Sequence, residues 1–464
     1  MKTTLKYFVA LGALATALFA PPMTLEQRVS ETEDRLDEIE FQSGLDKIKF
    51  GLDFSTGATD SSFKITEFQT AGQNNGLVTV PEQKYKAHNK WGMELHLNMN
   101  ANINSSTKFY GRLSMAKDYG MMDKSYTNQP NDLDAGRDFR TSGQSLYVSR
   151  AYVDLFFTPE IVATLGRQPG TEGPGSNLRN NALRQSTYPA LLFNALGDAA
   201  VLSYKPNFAK KLQFVVRGAY GKIYQYDNES GVVRDWISGT NTMADTDLYY
   251  ASFEVQPYLG MVGKRNLFMV SYARLHDLAL DMSSVNTALG VQTLGTIDSV
   301  NVHFESYDAF RLPLHYFVSG NYMKGSNAKG FGAMGLSTLN SLVTDTTKKI
   351  FNEETAYAIH AGLRYDFHRY FKLGAEYFYG SQYWFAFSRL SFNDPLNIRN
   401  TRGQAYDVYI ISQLDRNQFF RLSYTHIQNK WSNRGLPVGG ALGKNEGGYE
   451  STADSIMLMY NVKF

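Results

Sequence analysis

From Ile48 to Phe464 the chain is a succession of segments near ten residues long, each alternating apolar and polar side chains, joined by connections that are alternately long and short. A period of two puts successive side chains on opposite faces of a strand, so each segment has one apolar and one polar face. Near the end, Ile456, Leu458, Tyr460, Val462 and Phe464 share one face, and Met457, Met459, Asn461 and Lys463 share the other. Likewise Ile359, Ala361, Leu363 and Tyr365 alternate with His360, Gly362, Arg364 and Asp366. A soluble sandwich also alternates, so segment length and connectivity must decide.

Sixteen such segments begin near Ile48, Lys90, Thr107, Leu146, Ile161, Asp198, Leu212, Asp247, Asn266, Ser299, Leu314, Thr355, Phe371, Ala405, Phe419 and Ala453. The long connections run over 58–89, 118–145, 168–197, 224–246, 278–298, 324–354, 382–404 and 430–452, and short turns such as Pro159-Glu160 and Phe367 to Tyr370 lie between them. Short turns at one end and long loops at the other are what a membrane barrel requires, because in lipid no strand edge can be left unpaired. The pattern predicts an all-β fold, a closed antiparallel transmembrane β-barrel of about 16 strands over 48–464. Aromatic residues at segment ends, Phe156-Phe157, Tyr249-Tyr250, Tyr370-Phe371 and Phe419-Phe420, fit girdles at the two membrane interfaces.

Composition removes competing classes. Aromatic residues make up 14% of the 464 residues, yet mean hydropathy is only -0.34, which excludes a helical membrane protein. The one long apolar run, Tyr7 to Ala20, is shorter than the roughly 20 residues a spanning helix needs. With Lys2 and Lys6 before it and Ala15-Thr16-Ala17 inside it, the run reads as a signal peptide over 1–20; Pro21 disfavours cleavage after Ala20. Residues 21–47 hold a heptad seam of Leu25, Val29, Thr32, Leu36 and Ile39 with a Thr24/Gln27 capping box, expected to form a short periplasmic coiled-coil helix, either trimer-forming or a solvated tether. An even strand count places that segment and the C-terminus on one side. The absence of cysteine excludes disulfides and thiolate chemistry, and a net charge of +2 gives no basis for nucleic-acid binding.

The signal peptide, the sixteen segments and a terminal Phe464 after Tyr460 and Val462 together resemble the bacterial outer-membrane porins, of the trimeric sixteen-stranded general type, over Ile48 to Phe464. That resemblance implies a Gram-negative outer-membrane location amid lipids and lipopolysaccharide, with both chain ends periplasmic and the long loops extracellular. It implies that Tyr460, Val462 and Phe464 are read by the barrel-assembly machinery, that the chain is a homotrimer, and that the third long loop, 168–197, folds inward to constrict a water-filled channel. Gly166-Arg167-Gln168-Pro169, Gly173-Pro174 and Asn177-Leu178-Arg179 further resemble a porin-like family with a Gly/Pro-rich third loop, which brings no substrate with it.

A structureless loop of this length is functional or disordered, and the resemblance favours function. Its charged members are Glu172, Arg179 and Arg184, with Arg167 at its base, and they are expected at the pore constriction. Basic groups there would favour anions, or alternatively only brace the loop. Alternation turns Arg112, Arg150, Asp154, Arg217, Arg364, Lys372, Glu376, Asp407 and Arg421 toward the lumen, since a charge facing lipid at the midplane costs about 2 to 4 kcal/mol. Cations outnumber anions in this set. The sequence reading is therefore passive diffusion of small polar solutes or ions with a modest anion preference, without enzymatic activity, cofactor or metal. Asp132, Asp134, Gly136 and Asp138 resemble part of a calcium loop but lack the bidentate Glu, Ser142 standing at that position, so a solvated acidic loop is expected. The eight histidines show no HExxH spacing and no GxSxG elbow occurs. Two alternatives stay open: an adhesin or anchoring barrel without an open pore, and a barrel lipid hydrolase with a Ser and a His on its outer wall.

Overall fold

A computed structural model describes residues 48–71, 77–119, 146–170, 172–184, 186–224, 245–281, 291–327, 355–388, 391–432, 443–444 and 448–464. The signal peptide, the coiled-coil segment and the acidic loop at Asp132 to Asp138 lie outside the described residues. The strands are β1 (Ile48–Ile65), β2 (Phe68–Ala71), β3 (Leu77–Val80), β4 (Gln83–Asn104), β5 (Thr107–Asp118) and β6 (Tyr147–Phe156). Then come β7 (Ile161–Gln168), β8 (Gly197–Tyr204), β9 (Val215–Tyr224), β10 (Thr246–Val255), β11 (Arg265–Asp281) and β12 (Val291–Tyr307). The last six are β13 (Leu314–Ser326), β14 (Thr355–His368), β15 (Phe371–Gly380), β16 (Gly403–Gln413), β17 (Gln418–Asn429) and β18 (Ser451–Lys463).

All strands except β2 and β3 form one closed antiparallel barrel in sequence order, with β1 between β18 and β4; β2 and β3 make a separate small hairpin. The barrel therefore has the expected sixteen strands. Two of the expected long connections are partly ladder instead. β1 continues to Ile65 and β4 starts at Gln83, inside the expected 58–89 loop, and β11 and β12 stay paired out to Asp281 with Val291, inside the expected 278–298 loop.

Alternation sets the two faces as physics requires. Val300, Val302, Ile359, Leu363, Val408, Ile410, Leu422, Ile456 and Leu458 are exposed on the outside, while their strand neighbours Asn301, His303, His360, Asp407, Arg421, Ser423 and Met457 are buried inside. Aromatic and large apolar side chains ring the short-turn end, including Phe157, Phe208, Tyr258, Met261, Phe310, Phe367, Phe371 and Phe464. Toward the long-loop end, outward tyrosines carry their hydroxyls on carboxylates: Tyr220 donates to Asp247 at 2.9 Å, Tyr272 to Asp298 at 2.5 Å and Tyr424 to Asp454 at 2.7 Å. Of the doublets Tyr249-Tyr250 and Phe419-Phe420, only Tyr249 and Phe420 point outward; Tyr250 and Phe419 are buried inside, because neighbours in a strand cannot share a face.

Close approach fixes one inner glycine. Gly374 on β15 faces Tyr409 on β16, and a Cβ on it would lie 2.1 Å from the ring's Cζ, so the ring fills the space a side chain would take. Replacing Leu422, near the middle of β17, by Arg is expected to lower barrel stability by about 2–4 kcal/mol, whereas Leu422→Ile should be nearly neutral. Urea unfolding in lipid vesicles, followed by heat-modifiable gel mobility, measures both.

Candidate functional site: the occupied lumen

The connection from β7 to β8 lies inside the barrel. A segment rich in Gly, Pro and Asn makes no ladder of its own, so its buried carbonyls need outside donors. The wall provides them: Arg364 donates to the Leu178 carbonyl at 2.9 Å, Arg421 to the Arg179 carbonyl at 3.2 Å, and Asn321 to the Leu191 carbonyl at 3.3 Å. Side chains add to this. Asn177 donates to Glu305 at 2.9 Å and to the Tyr307 hydroxyl, and Lys372 donates to Asn181 at 2.7 Å.

A second connection, between β15 and β16 and described over 381–388 and 391–402, is also internal, where an outer loop was expected. Trp384 is fully buried and its indole donates to the Arg399 carbonyl at 2.7 Å; Arg402 donates to the carbonyls of Trp384 and Ser432, each at 3.0 Å. The two segments grip each other. The Asn194 amide donates to the Phe387 carbonyl at 2.7 Å, Arg399 donates to the Gly175 carbonyl at 3.3 Å, and Arg179 pairs with Asp394 at 3.4 Å and with Asp407 of β16 at 3.1 Å. Around this brace Tyr188, Leu191, Leu192 and Phe193 pack with Trp384, Phe385, Ala386 and Ile398 against inward Leu275, Leu294, Phe378 and Ile427. Burial opposes ionisation of Asp394, but Arg179 and Arg399 outweigh it and hold its carboxyl below the ordinary range. The sequence carries a signal for this segment: Tyr383-Trp384-Phe385-Ala386-Phe387 is too apolar for a solvated loop.

The residues expected to line the pore differ in setting, and Lys372, inward and half-buried, is the one already seen holding Asn181. Arg217, Arg364, Glu376, Asp407 and Arg421 face inward but are buried rather than hydrated, because the two internal segments cover them. Arg217 pairs with Glu254 at 2.7 Å, Arg364 with Asp366 at 2.8 Å, and Glu376 with His360 at 3.1 Å. Arg179 is 3% exposed and acts as a brace, and Arg184 shares Glu254 at 2.6 Å; neither is a free charge at a constriction. Arg112, Arg150 and Asp154 on β5 and β6 belong to the opposite side of the lumen, and Glu172, half-buried, offers its amide to Asn194 at 3.0 Å. Arg167 is a correction: it stands on the outer face. Val162, Thr164 and Gln168 turn inward on β7, so Leu165, 42% exposed, and Arg167 turn outward, and Arg167 pairs with Asp198 at 2.9 Å. At the C-terminus Phe464 is exposed and exchanges two backbone hydrogen bonds with Leu52, of 2.8 and 3.0 Å, while Tyr460 and Val462 share its outward face.

What the internal segments leave less covered is the inner wall of β4 to β7. Asn98, Tyr110, Arg150, Tyr152, Asp154 and Thr164 are half-buried there, unlike their counterparts on β13 to β18. Arg112 sits in register with Arg150 and donates to Asn98 at 2.9 Å; one rung along, the rings of Tyr110 and Tyr152 stack at 5.0 Å; Thr164 donates to Asp154 at 2.6 Å. Toward the loop end, Ser114 shares hydrogen bonds with His96 at 2.7 Å and Ser149 at 2.5 Å, and His96 lies 3.4 Å from Glu94. Ser114 is fully buried, and its hydroxyl ties β4, β5 and β6 together. Among the described residues no three His, Cys, Asp or Glu side chains group as metal ligands.

The family described as "Protein of unknown function (DUF3373)" matches residues 84–459. No curated protein matches the sequence. Among solved structures, OprB of Pseudomonas putida is similar at 11% identity and a TM-score of 0.46, covering 91% of this chain and 96% of its own. OmpT, an outer membrane protein of Vibrio cholerae, is similar at 12% identity and a TM-score of 0.43, covering 90% of this chain and 97% of its own.

Removing one side of a buried ion pair strands the other. Arg179→Ala is expected to destabilise the packed interior by about 3–5 kcal/mol and to expose Trp384, seen as a red shift and quenching of its fluorescence. Because the Asp394 carboxyl is depressed in the fold, its contribution is present above the unfolded value near 3.9 and is lost as pH falls below that value. Acidification through that range should therefore loosen the packing around Trp384, read as a red shift of tryptophan fluorescence.

Proposed function

Given that the chain belongs to the DUF3373 family, we propose that it is an outer-membrane channel for small polar solutes, narrowed to one side of its lumen by two internal segments. The apolar outer belt supports a membrane location, and for a closed barrel of this kind the outer membrane is where long loops face out and short turns face the periplasm. The observation that carries the channel reading is a contrast within the inner wall: from β13 to β18 it is buried and ion-paired, while on β4 to β7 a patch of Asn98, Tyr110, Arg150, Tyr152, Asp154 and Thr164 keeps partial exposure beside buried neighbours such as Arg112 and Ser114. Lys108, Arg112 and Arg150 stand on that side against Glu94, Asp118 and Asp154, so the modest anion preference in this proposal rests on the half-exposed Arg150 and not on a net surplus of charge.

A second reading has its own observation. The apolar core formed by Tyr188, Leu191, Phe193, Trp384 and Ile398 fills the lumen in the way a plug does, which favours a barrel that anchors its long loops at the surface without conducting. Planar bilayers separate the two. The channel reading expects stepwise conductance with a reversal potential on the anion side across a salt gradient, and a silent, folded barrel supports the anchor. If it conducts, Arg150→Glu should shift the reversal potential toward cations, and excision of residues 383–400 should raise single-channel conductance.

A further inference from the structure

Beneath the loop that fills the lumen, at the short-turn end, lies a half-open cavity of about 700 Å³. That is within the range of small-molecule sites. Its roof is the underside of the β7–β8 connection, and its walls are the turn-end parts of β11, β12, β13 and β14. This volume is separate from the half-exposed wall of β4 to β7.

The roof treats one residue unlike its neighbours. Leu178, Leu191, Leu192, Phe193 and Leu196 of the connection are all under 9% exposed, yet Leu183 is 85% exposed and lines the cavity. An apolar side chain held in water where every comparable neighbour is packed gains by being covered. The polar lining has both signs of charge. Arg184 lines the cavity and shares the carboxylate of Glu254 behind it, at 2.6 Å, with Arg217 at 2.7 Å, so that carboxylate does not neutralise it alone, and Arg265 lies over the Tyr307 ring at 5.1 Å. Arg364 and Asp366 cancel through two bonds of 2.8 and 3.2 Å, with His315 3.4 Å from the same carboxylate. Glu305, whose carboxylate already accepts from Asn177 at 2.9 Å, and Asp308 at the β12–β13 turn are the acidic members.

We propose that this cavity binds a small zwitterion with an apolar side chain, of the class of a branched α-amino acid or short peptide. The carboxylate is drawn toward Arg184 and Arg265, the ammonium toward Glu305 and Asp308, and the hydrocarbon covers Leu183. Such a site needs no conduction through the barrel, so it stands or falls separately from the channel reading.

Equilibrium dialysis of labelled leucine against the full chain folded in detergent tests it, with competition by 4-methylpentanoate, which lacks the ammonium, and 3-methylbutylamine, which lacks the carboxylate. Saturable leucine binding is expected, with each analogue roughly tenfold weaker or more. Leu183→Asn should weaken leucine roughly tenfold and leave glycine unchanged, and Arg265→Gln should weaken leucine and 4-methylpentanoate but not 3-methylbutylamine. Heat-modifiable gel mobility confirms that each variant is folded, and Leu183→Met, which keeps an apolar side chain, should retain binding. The proposal is overturned by absence of saturable leucine binding to the folded chain, by equal affinity for the three compounds, or by indifference to Leu183→Asn. Leucine binding by a barrel that is silent in bilayers would retain this site and remove the channel.

Discussion

Everything in this molecule rests on the demand that each backbone amide and carbonyl in contact with lipid find a partner within the chain. A sheet meets that demand only by closing, and closure here depends on the last strand finding the first. The ladder between β1 and β18 runs from Asp53 with Lys463 to Ile65 with Ser451, and the final two backbone hydrogen bonds join Leu52 to Phe464. Once the ring is closed, alternation is no longer a preference of single strands. One face of every strand belongs to lipid and the other to the interior, and a shift of one residue would reverse both.

The interior then poses the opposite problem. A wall dictated by polar alternation carries arginines, carboxylates and histidines that must be hydrated or paired. From β10 to β18 the chain pairs them, using two of its own connections as partners. Loop carbonyls receive the guanidinium donors, Arg179 joins Asp394 to Asp407, and an apolar core forms in a space that a simple pore would leave to water. The same device explains why the wall of β4 to β7 looks different: the loops lean the other way, and Tyr110, Arg150, Tyr152 and Asp154 keep partial access to water.

How much of this could be read in the sequence depends on how local each cause is. Period-two alternation is local, so the strands and their faces were legible, down to the inward direction of Arg217, Glu376, Asp407 and Arg421. Ends of strands at the long-loop side were not, because beyond the membrane a ladder such as Asp281 with Val291 needs no apolar face, and the periodic signal fades while the hydrogen bonds continue. Arg167 shows the limit of reading by neighbourhood: lying at the base of the loop suggested the pore, and strand parity sent it outside. Which charges would be hydrated was not legible either. Arg421 meets the Arg179 carbonyl across 242 positions of sequence, and no local pattern encodes that meeting, although the aromatic run at Tyr383 to Phe387 marked its segment as one that would not stay in water.

The strands differ greatly in length around the ring. β11 and β12 have 17 residues each, β7 and β8 only 8. At roughly 3.4 Å per residue and a tilt near 40°, the ladder at β7 and β8 is about 20 Å lower than at β11 and β12, and β1 and β4, with 18 and 22 residues, are longer still on the other side of the short pair. The connection after β7 leaves this low point and turns into the lumen, so the described ring has a notch at β7 and β8 between taller walls, and the chain fills its own interior from the side where the wall is lowest.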